Sequence, residues 1–190
     1  EKSISVSNIA NGTTRLQPVV MQIGQAAGAL AAEAAVQGIL PSEVSVRQVQ
    51  RDLLDAGCYI QPFIDAKPGS PLFPALQRIG STGILRGEGK QIQWTNVTDL
   101  HADELVSRDE LRYLFDFYGI TYPDLSGGPT LQAGFINGVD WAVALRDAGL
   151  DADSAINGQP LTRAAYAVII DCLLDPFNTF DVDLQGKLIL

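Results

Sequence analysis

The period of apolar and polar positions changes several times along the chain, and each change predicts an element. Ile4-Ser5-Val6-Ser7-Asn8-Ile9 alternates, the period of a short strand, and Asn11-Gly12-Thr13-Thr14 has turn chemistry. Gln17-Pro18 then opens a long helix, because a proline in the first turn loses only an N–H that has no helical partner. The helix is predicted to run to Gln37 and to stop at Gly38, with Pro41 just beyond. Ser45-Val46-Arg47-Gln48 has the pattern of a capping box for a second helix, ending near Gly57 with Val46, Val49, Leu53 and Leu54 as its apolar face.

From Pro62 the texture changes. Asp65-Ala66-Lys67-Pro68-Gly69-Ser70-Pro71 reads as a linker and divides the chain into residues 1–61 and 62–190. Two similar units are predicted in the second part. The first has a helix over 72–82 closed by Gly83-Ile84-Leu85, then a long polar loop and a helix capped by Ser107 with Glu110 three residues on. The second has a helix over 139–148 closed by Gly149-Leu150 and a partner helix capped by Thr162. Ser107-Arg108 and Thr162-Arg163 thus repeat one signature, which reads as an internal duplication. The tail Phe180-Asp181-Val182-Asp183-Leu184 alternates again, as a short strand does. The expected fold is mainly α: a short N-terminal strand and a long buried helix, then two helix-loop-helix repeats with minor β.

Composition narrows the chemistry. The chain is 190 residues long, 46% hydrophobic and 18% charged, which supports a packed core rather than disorder. Its formal net charge of −9 repels phosphate backbones and anionic bilayers, so neither nucleic acid nor a membrane surface is an expected partner. The apolar stretch from Val19 to Val36 contains Gln22, Gln25 and Glu33 and reads as a buried helix of a soluble protein rather than a membrane span. With Cys58, Cys172 and His101 as the whole Cys/His complement, a zinc site has almost no material. The two cysteines read as buried free thiols, or as a disulfide if the chain is exported. The chain opens at Glu1 without an initiator Met or a signal sequence, which reads as a piece of something longer and leaves the compartment open, periplasmic and extracellular included.

The run Ser3-Ile4-Ser5-Val6-Ser7-Asn8, Gly12-Thr13-Thr14-Arg15-Leu16-Gln17-Pro18 and Gly24-Gln25-Ala26-Ala27-Gly28 resembles the C-terminal flavin-domain segment of a large family of bacterial FAD-dependent oxidoreductases, some of whose members carry a xanthan lyase label. The resemblance covers roughly the first 60 residues. It implies FAD as cofactor in a longer parent, with Arg15, Gln17, Gly24, Gln25, Ala26, Ala27 and Gly28 near it and the remainder of the flavin domain as partner. The residue chemistry is compatible: a helix N-terminus offers unpaired N–H groups to flavin oxygens, and glycines let a ring system approach. Gly24, Gly28 and Ala32 equally form a small-residue ridge of the kind that packs helix on helix, and a homodimer is one expected outcome. The dinucleotide fold also needs a Gly-x-Gly-x-x-Gly loop after a strand. Gly83, Gly87 and Gly89 lack that spacing, so no FAD is expected to stay bound to this chain alone.

The part after Pro62 resembles the S-layer homology module, through Ala75-Leu76-Gln77-Arg78, Gly83-Ile84-Leu85-Arg86-Gly87 and the two capped helix starts. The module family binds anionic cell-wall polysaccharide, which makes a non-enzymatic polysaccharide-binding or assembly domain the rival reading. Arg108 and Arg163 are expected to pair with carboxylates such as Asp109 or Asp171 rather than with glycan. No catalytic residue stands out. Asp99, Asp103 and Glu104 read as solvated loop charges, Asp151-Ala152-Asp153-Ser154-Ala155-Ile156-Asn157-Gly158 lacks the ligand pattern of an EF-hand loop, and His101 has no lyase partners. Trp94 is the candidate exposed aromatic, whereas Trp141 has core spacing with Leu145.

Overall fold

The computed structural model describes residues 4–118, 161–183 and 185–189. The predicted helix over 139–148, Trp141, the acidic stretch 151–158 and the Arg108 side chain lie outside the described part, so the second half of the proposed duplication is described only from Leu161 onward. The described residues are mainly helical, with two small antiparallel strand pairs, as expected. They divide into two compact units, residues 1–58 with 180–190, and residues 59–179.

The first unit begins with a departure from the alternating pattern. Residues 4–9 form no strand; instead α1 spans Asn8–Thr14, with Ser7 as its N-cap accepting from the Ala10 N–H at 3.2 Å. Six alternating residues have no neighbouring strand to satisfy their backbone, whereas the Ser7 hydroxyl satisfies an orphan donor locally, and the helix wins. After Leu16, in extended backbone, α2 runs Gln17–Gln37 with Pro18 in its first turn. It stops where expected: Gly38 takes a left-handed φ of 68°, and its N–H returns to the Ala34 carbonyl. Pro41–Glu43 make a single 3-10 turn, and α3 follows over Val46–Asp55. Ser45 caps α3 by accepting from Gln48 N, but the capping box is only half made, because the Gln48 amide is held by Asp52 and Arg51 further along the helix.

α2 packs one face on α3 and on the 41–43 turn. The expectation of a buried helix does not hold, since Ala34 is its one buried residue. Met21 is 74% and Val36 85% exposed. The reason is supply: α3 and one turn can cover only one side of a helix that is apolar nearly all round. By length and composition α2 would also suffice to cross a membrane. The unit is completed by the C-terminal residues. β3 (Asp181–Val182) pairs antiparallel with β4 (Leu188–Ile189), as the alternating tail suggested, and β3 lies against α3. Arg47, buried, donates through Nε to the Phe180 carbonyl at 3.2 Å, and the Ser45 hydroxyl meets Asp181 Oδ1 at 3.3 Å.

The second unit holds the larger core. α4 spans Phe73–Thr82 and ends at Gly83, φ 78°. α5 spans Arg108–Phe117, α6 Arg163–Leu173 and α7 Pro176–Thr179. α4 packs on α6 and α7, and Leu76, Ile79, Leu85, Leu100, Leu111, Leu114, Tyr166, Ile170 and Phe177 are buried together as the core of this unit. The buried Gln77 amide stitches the entry to the unit: its oxygen accepts from Ile60 N and Gln61 N, and its nitrogen donates to the Gln61 carbonyl.

The stretch with linker composition is folded into this unit. Ala66 is fully buried, and the Asp65 carboxylate accepts from Leu100 N and Ala102 N, both at 2.9 Å. The long polar loop contains a hairpin, β1 (Glu88–Ile92) with β2 (Thr95–Asp99), paired from Glu88↔Asp99 to Ile92↔Thr95. Its turn residues, Gln93 and Trp94, lack the usual Asn-Gly signature, and Gln93 takes a φ of 54°. Phe63 bridges in parallel to Thr98 at the hairpin's edge.

Candidate functional site

The step from α1 to α2 is made by three residues. Arg15 ends α1 in helical backbone, Leu16 turns extended, and Gln17 starts α2. Leu16 offers no side-chain acceptor, so no cap covers the first N–H groups of α2. Arg15 and Gln17 are both exposed beside this end. Along the helix, Gln17, Gly24, Gln25 and Gly28 fall at i, i+7, i+8 and i+11, which is one face. Gly24 is half-buried at the edge of that face, while Gln25, Ala26, Ala27 and Gly28 are exposed. A Cβ built on Gly28 meets nothing within 4 Å.

The face is therefore open, with two glycines between two amides, and is framed by an uncapped helix N-terminus with a cation next to it. One polar anchor crosses it. Gln25 Nε2 donates to Cys58 Sγ at 2.7 Å. Cys58 is half-buried and Cys172 exposed; both are free thiols, and neither is buried as expected. Free cysteines outside a core pack as small apolar groups only in part, and surface position follows from their being at an element's edge rather than on its core face.

In the second unit the chemistry-bearing residues are occupied by structural work. Arg163 forms an ion pair with Glu110 and donates to the carbonyls of Leu100 (2.8 Å) and Arg86 (2.6 Å). Its pairing with a carboxylate was expected, but the partner is Glu110, neither Asp109 nor Asp171. Burial lowers the pKa of this guanidinium, and neighbouring acids, Glu104 first, oppose that shift. Asp171 is held instead by Arg78, in a fork of 2.8 and 2.5 Å. The hydrogen bonds that Arg78 donates to Asp171 raise its pKa more than desolvation lowers it.

Sequence reasoning found Glu110 as a capping residue and missed its second duty. Glu110 Oε2 accepts from Ser107 N while Oε1 takes Arg163, so one carboxylate joins two helix starts. A depression of about 130 Å³ lined by Ile84, Arg86, Asp109, Glu110 and Tyr113 is well below the ~300 Å³ at which ligand pockets begin, and the Arg86 guanidinium lies 4.3 Å over the Tyr113 ring. Among the described residues no group of three or more His, Cys, Asp or Glu side chains is placed to hold a metal ion.

Residues 1–53 match the family model described as FAD dependent oxidoreductase. The match supports an FAD-dependent oxidoreductase family for this segment, with FAD as that family's cofactor. No curated protein and no solved structure matches the chain.

Proposed function

We propose that the first unit is the closing segment of an FAD-dependent oxidoreductase's flavin domain, and that the open face of α2 lies against FAD and the remainder of that domain in a longer parent. The observation that carries this reading is the exposure of an apolar 21-residue helix within the matched segment. A helix of this composition is stable in water only when covered.

The residues fit one half of the cofactor. The uncapped N–H groups of α2 suit an acceptor oxygen of the ring or ribityl chain, Arg15 adds a positive charge beside them, and the open Gly28 position admits a flat ring. The ADP half has no partner in this chain, because the Gly-rich loop that would hold its phosphates is absent from the sequence. When bound, the flavin supplies the two-electron chemistry. The part played by Arg15, Gln17 and Gly24 to Gly28 is to seat it and exclude water.

Calorimetry with FAD tests the division. The purified chain is expected to be colourless and to show no binding in the micromolar range, whereas stoichiometric binding would overturn the reading. In a longer protein carrying this segment, Gly28→Leu is expected to lose flavin absorbance. In the chain by itself the same change is expected to leave the fold intact, since the added side chain enters open space. A second copy is the natural substitute cover when the flavin domain is missing. Light scattering should then show a dimer that Gly28→Leu dissociates, and partition of the chain into lipid vesicles would count against the whole proposal.

The alternative, a polysaccharide-binding or assembly module over 62–190, rests on the repeated Ser107 and Thr162 caps. It is not carried by Arg163, whose donors are spent on Glu110 and two backbone carbonyls.

A further inference from the structure

The β1–β2 hairpin ends in an aromatic side chain for which the described structure offers no cover. Trp94 is 99% exposed at the turn. An indole is among the largest apolar surfaces a residue carries, and burying it is strongly favoured, so leaving it in water calls for a use. Its surroundings narrow that use. From Gln91 to Val97 the chain reads Gln-Ile-Gln-Trp-Thr-Asn-Val, without one charge, in a molecule of net charge −9. The nearest cation, Lys90, is engaged by Glu88 at 3.2 Å, Asp99 at 3.7 Å and His101 Nε2 at 2.9 Å.

What the tip presents beside the indole is primary amide. Gln91 and Asn96 are cross-strand partners, so their side chains leave the same face of the hairpin. Gly89 lies two residues back on that face opposite Thr98, and a Cβ there would meet nothing within 4 Å, which leaves the β1 side bare behind Gln91. Gln91 Nε2 donates one N–H to the Gln93 carbonyl at 3.5 Å, which holds the amide at the tip. Its second N–H and its oxygen, with the Asn96 amide, match the paired hydroxyls of a sugar, while the indole face suits the C–H face of a pyranose ring. The platform is preorganised. Five residue pairs hold the hairpin, Asp65 fixes Leu100 and Ala102 at its root, and His101 is held by Glu88 at 3.1 Å and Glu104 at 2.9 Å.

We propose that the hairpin tip, Trp94 with Gln91 and Asn96, is a binding site for a neutral polysaccharide chain. The site stands independently of the flavin reading, which concerns the other unit. It differs also from the anionic-glycan reading suggested by the repeat signatures, because it uses stacking and amides where that reading needs free cations.

The test is calorimetry and tryptophan fluorescence of the whole chain against laminarin, xyloglucan and galactomannan, with polygalacturonate and phosphatidylcholine vesicles as controls. At least one neutral glycan should bind. Trp94→Ala should weaken that binding by about tenfold or more, Trp94→Tyr should restore most of it, and the Gln91→Ala, Asn96→Ala pair should weaken it with the indole intact. Because Trp94 makes no core contact, circular dichroism of Trp94→Ala should match the parent. Lack of binding to all three glycans would overturn the proposal, as would affinity unchanged by Trp94→Ala. Preference for polygalacturonate, or a Trp94 response only to vesicles or to self-association, would overturn it equally.

Discussion

Phe63 shows how single residues set this structure. Its ring sits where Cβ atoms on Gly80 and Gly87 would be, 2.3 Å from the first and 2.8 Å from the second. Neither glycine has an unusual φ, so each is required by space rather than by backbone freedom. Gly80→Ala is expected to cost about 1–3 kcal/mol through overpacking, read as a lower denaturation midpoint. Asp65 acts through hydrogen bonds instead: Asp65→Ala leaves Leu100 N and Ala102 N without their acceptor and should cost about 1–3 kcal/mol. Tyr118 supplies a pH signature. Burial, helped by the charge of Asp175, pushes its phenol up to about 12. The folded state therefore holds this proton more tightly than the unfolded chain, whose tyrosines titrate near about 10. The stabilisation is complete below the unfolded value and is lost as pH rises through the folded one. Ultraviolet titration should show a late phenol, and Tyr118→Phe should remove that step.

At the scale of elements, the helices begin and end on local chemistry. Ser107 and Thr162 each accept a backbone N–H three residues on, from Glu110 and Ala165. Replacing either by alanine should cost about 1 kcal/mol. Ser107→Ala is the more informative change, because the Glu110 carboxylate that completes its capping box also holds Arg163. A double-mutant cycle of Ser107→Ala with Arg163→Met should depart from additivity; strict additivity would show that the two helix starts are independent. The hairpin is the element that pattern reading passed over. Glu88 to Ile92 and Thr95 to Asp99 are mostly exposed polar residues, so they lack the apolar alternation that marks a strand.

For the molecule as a whole, the arrangement of the units has a consequence for stability. The first unit is discontinuous, closed by residues that follow the entire second unit. Truncation after Thr179 removes one acceptor of buried Arg47, the Phe180 carbonyl, and the strand that lies on α3. Hydrogen exchange should then speed up in α3 while protection in α4 and α6 persists. Loss of protection throughout both units would show instead that they unfold as one.

Much of the helical framework was determined by the sequence alone. Pro18 and Gly38 bound α2, Gly83 ends α4, and Ser45, Ser107 and Thr162 start their helices, because such signals act within three to five residues. The matched segment was legible for the same reason, as an ordered run of Arg15, Pro18, Gly24, Gln25 and Gly28. Partners far apart in the chain were not legible. Arg78 finds Asp171 across 93 residues and Arg163 finds Glu110, while Arg47 is completed by the tail. Each pairing depends on which surfaces meet after folding, and several carboxylates of equal chemistry competed on paper. The same holds for α2: composition marks it as apolar, but only tertiary structure decides whether enough chain surrounds it to bury it, and here most of it faces outward.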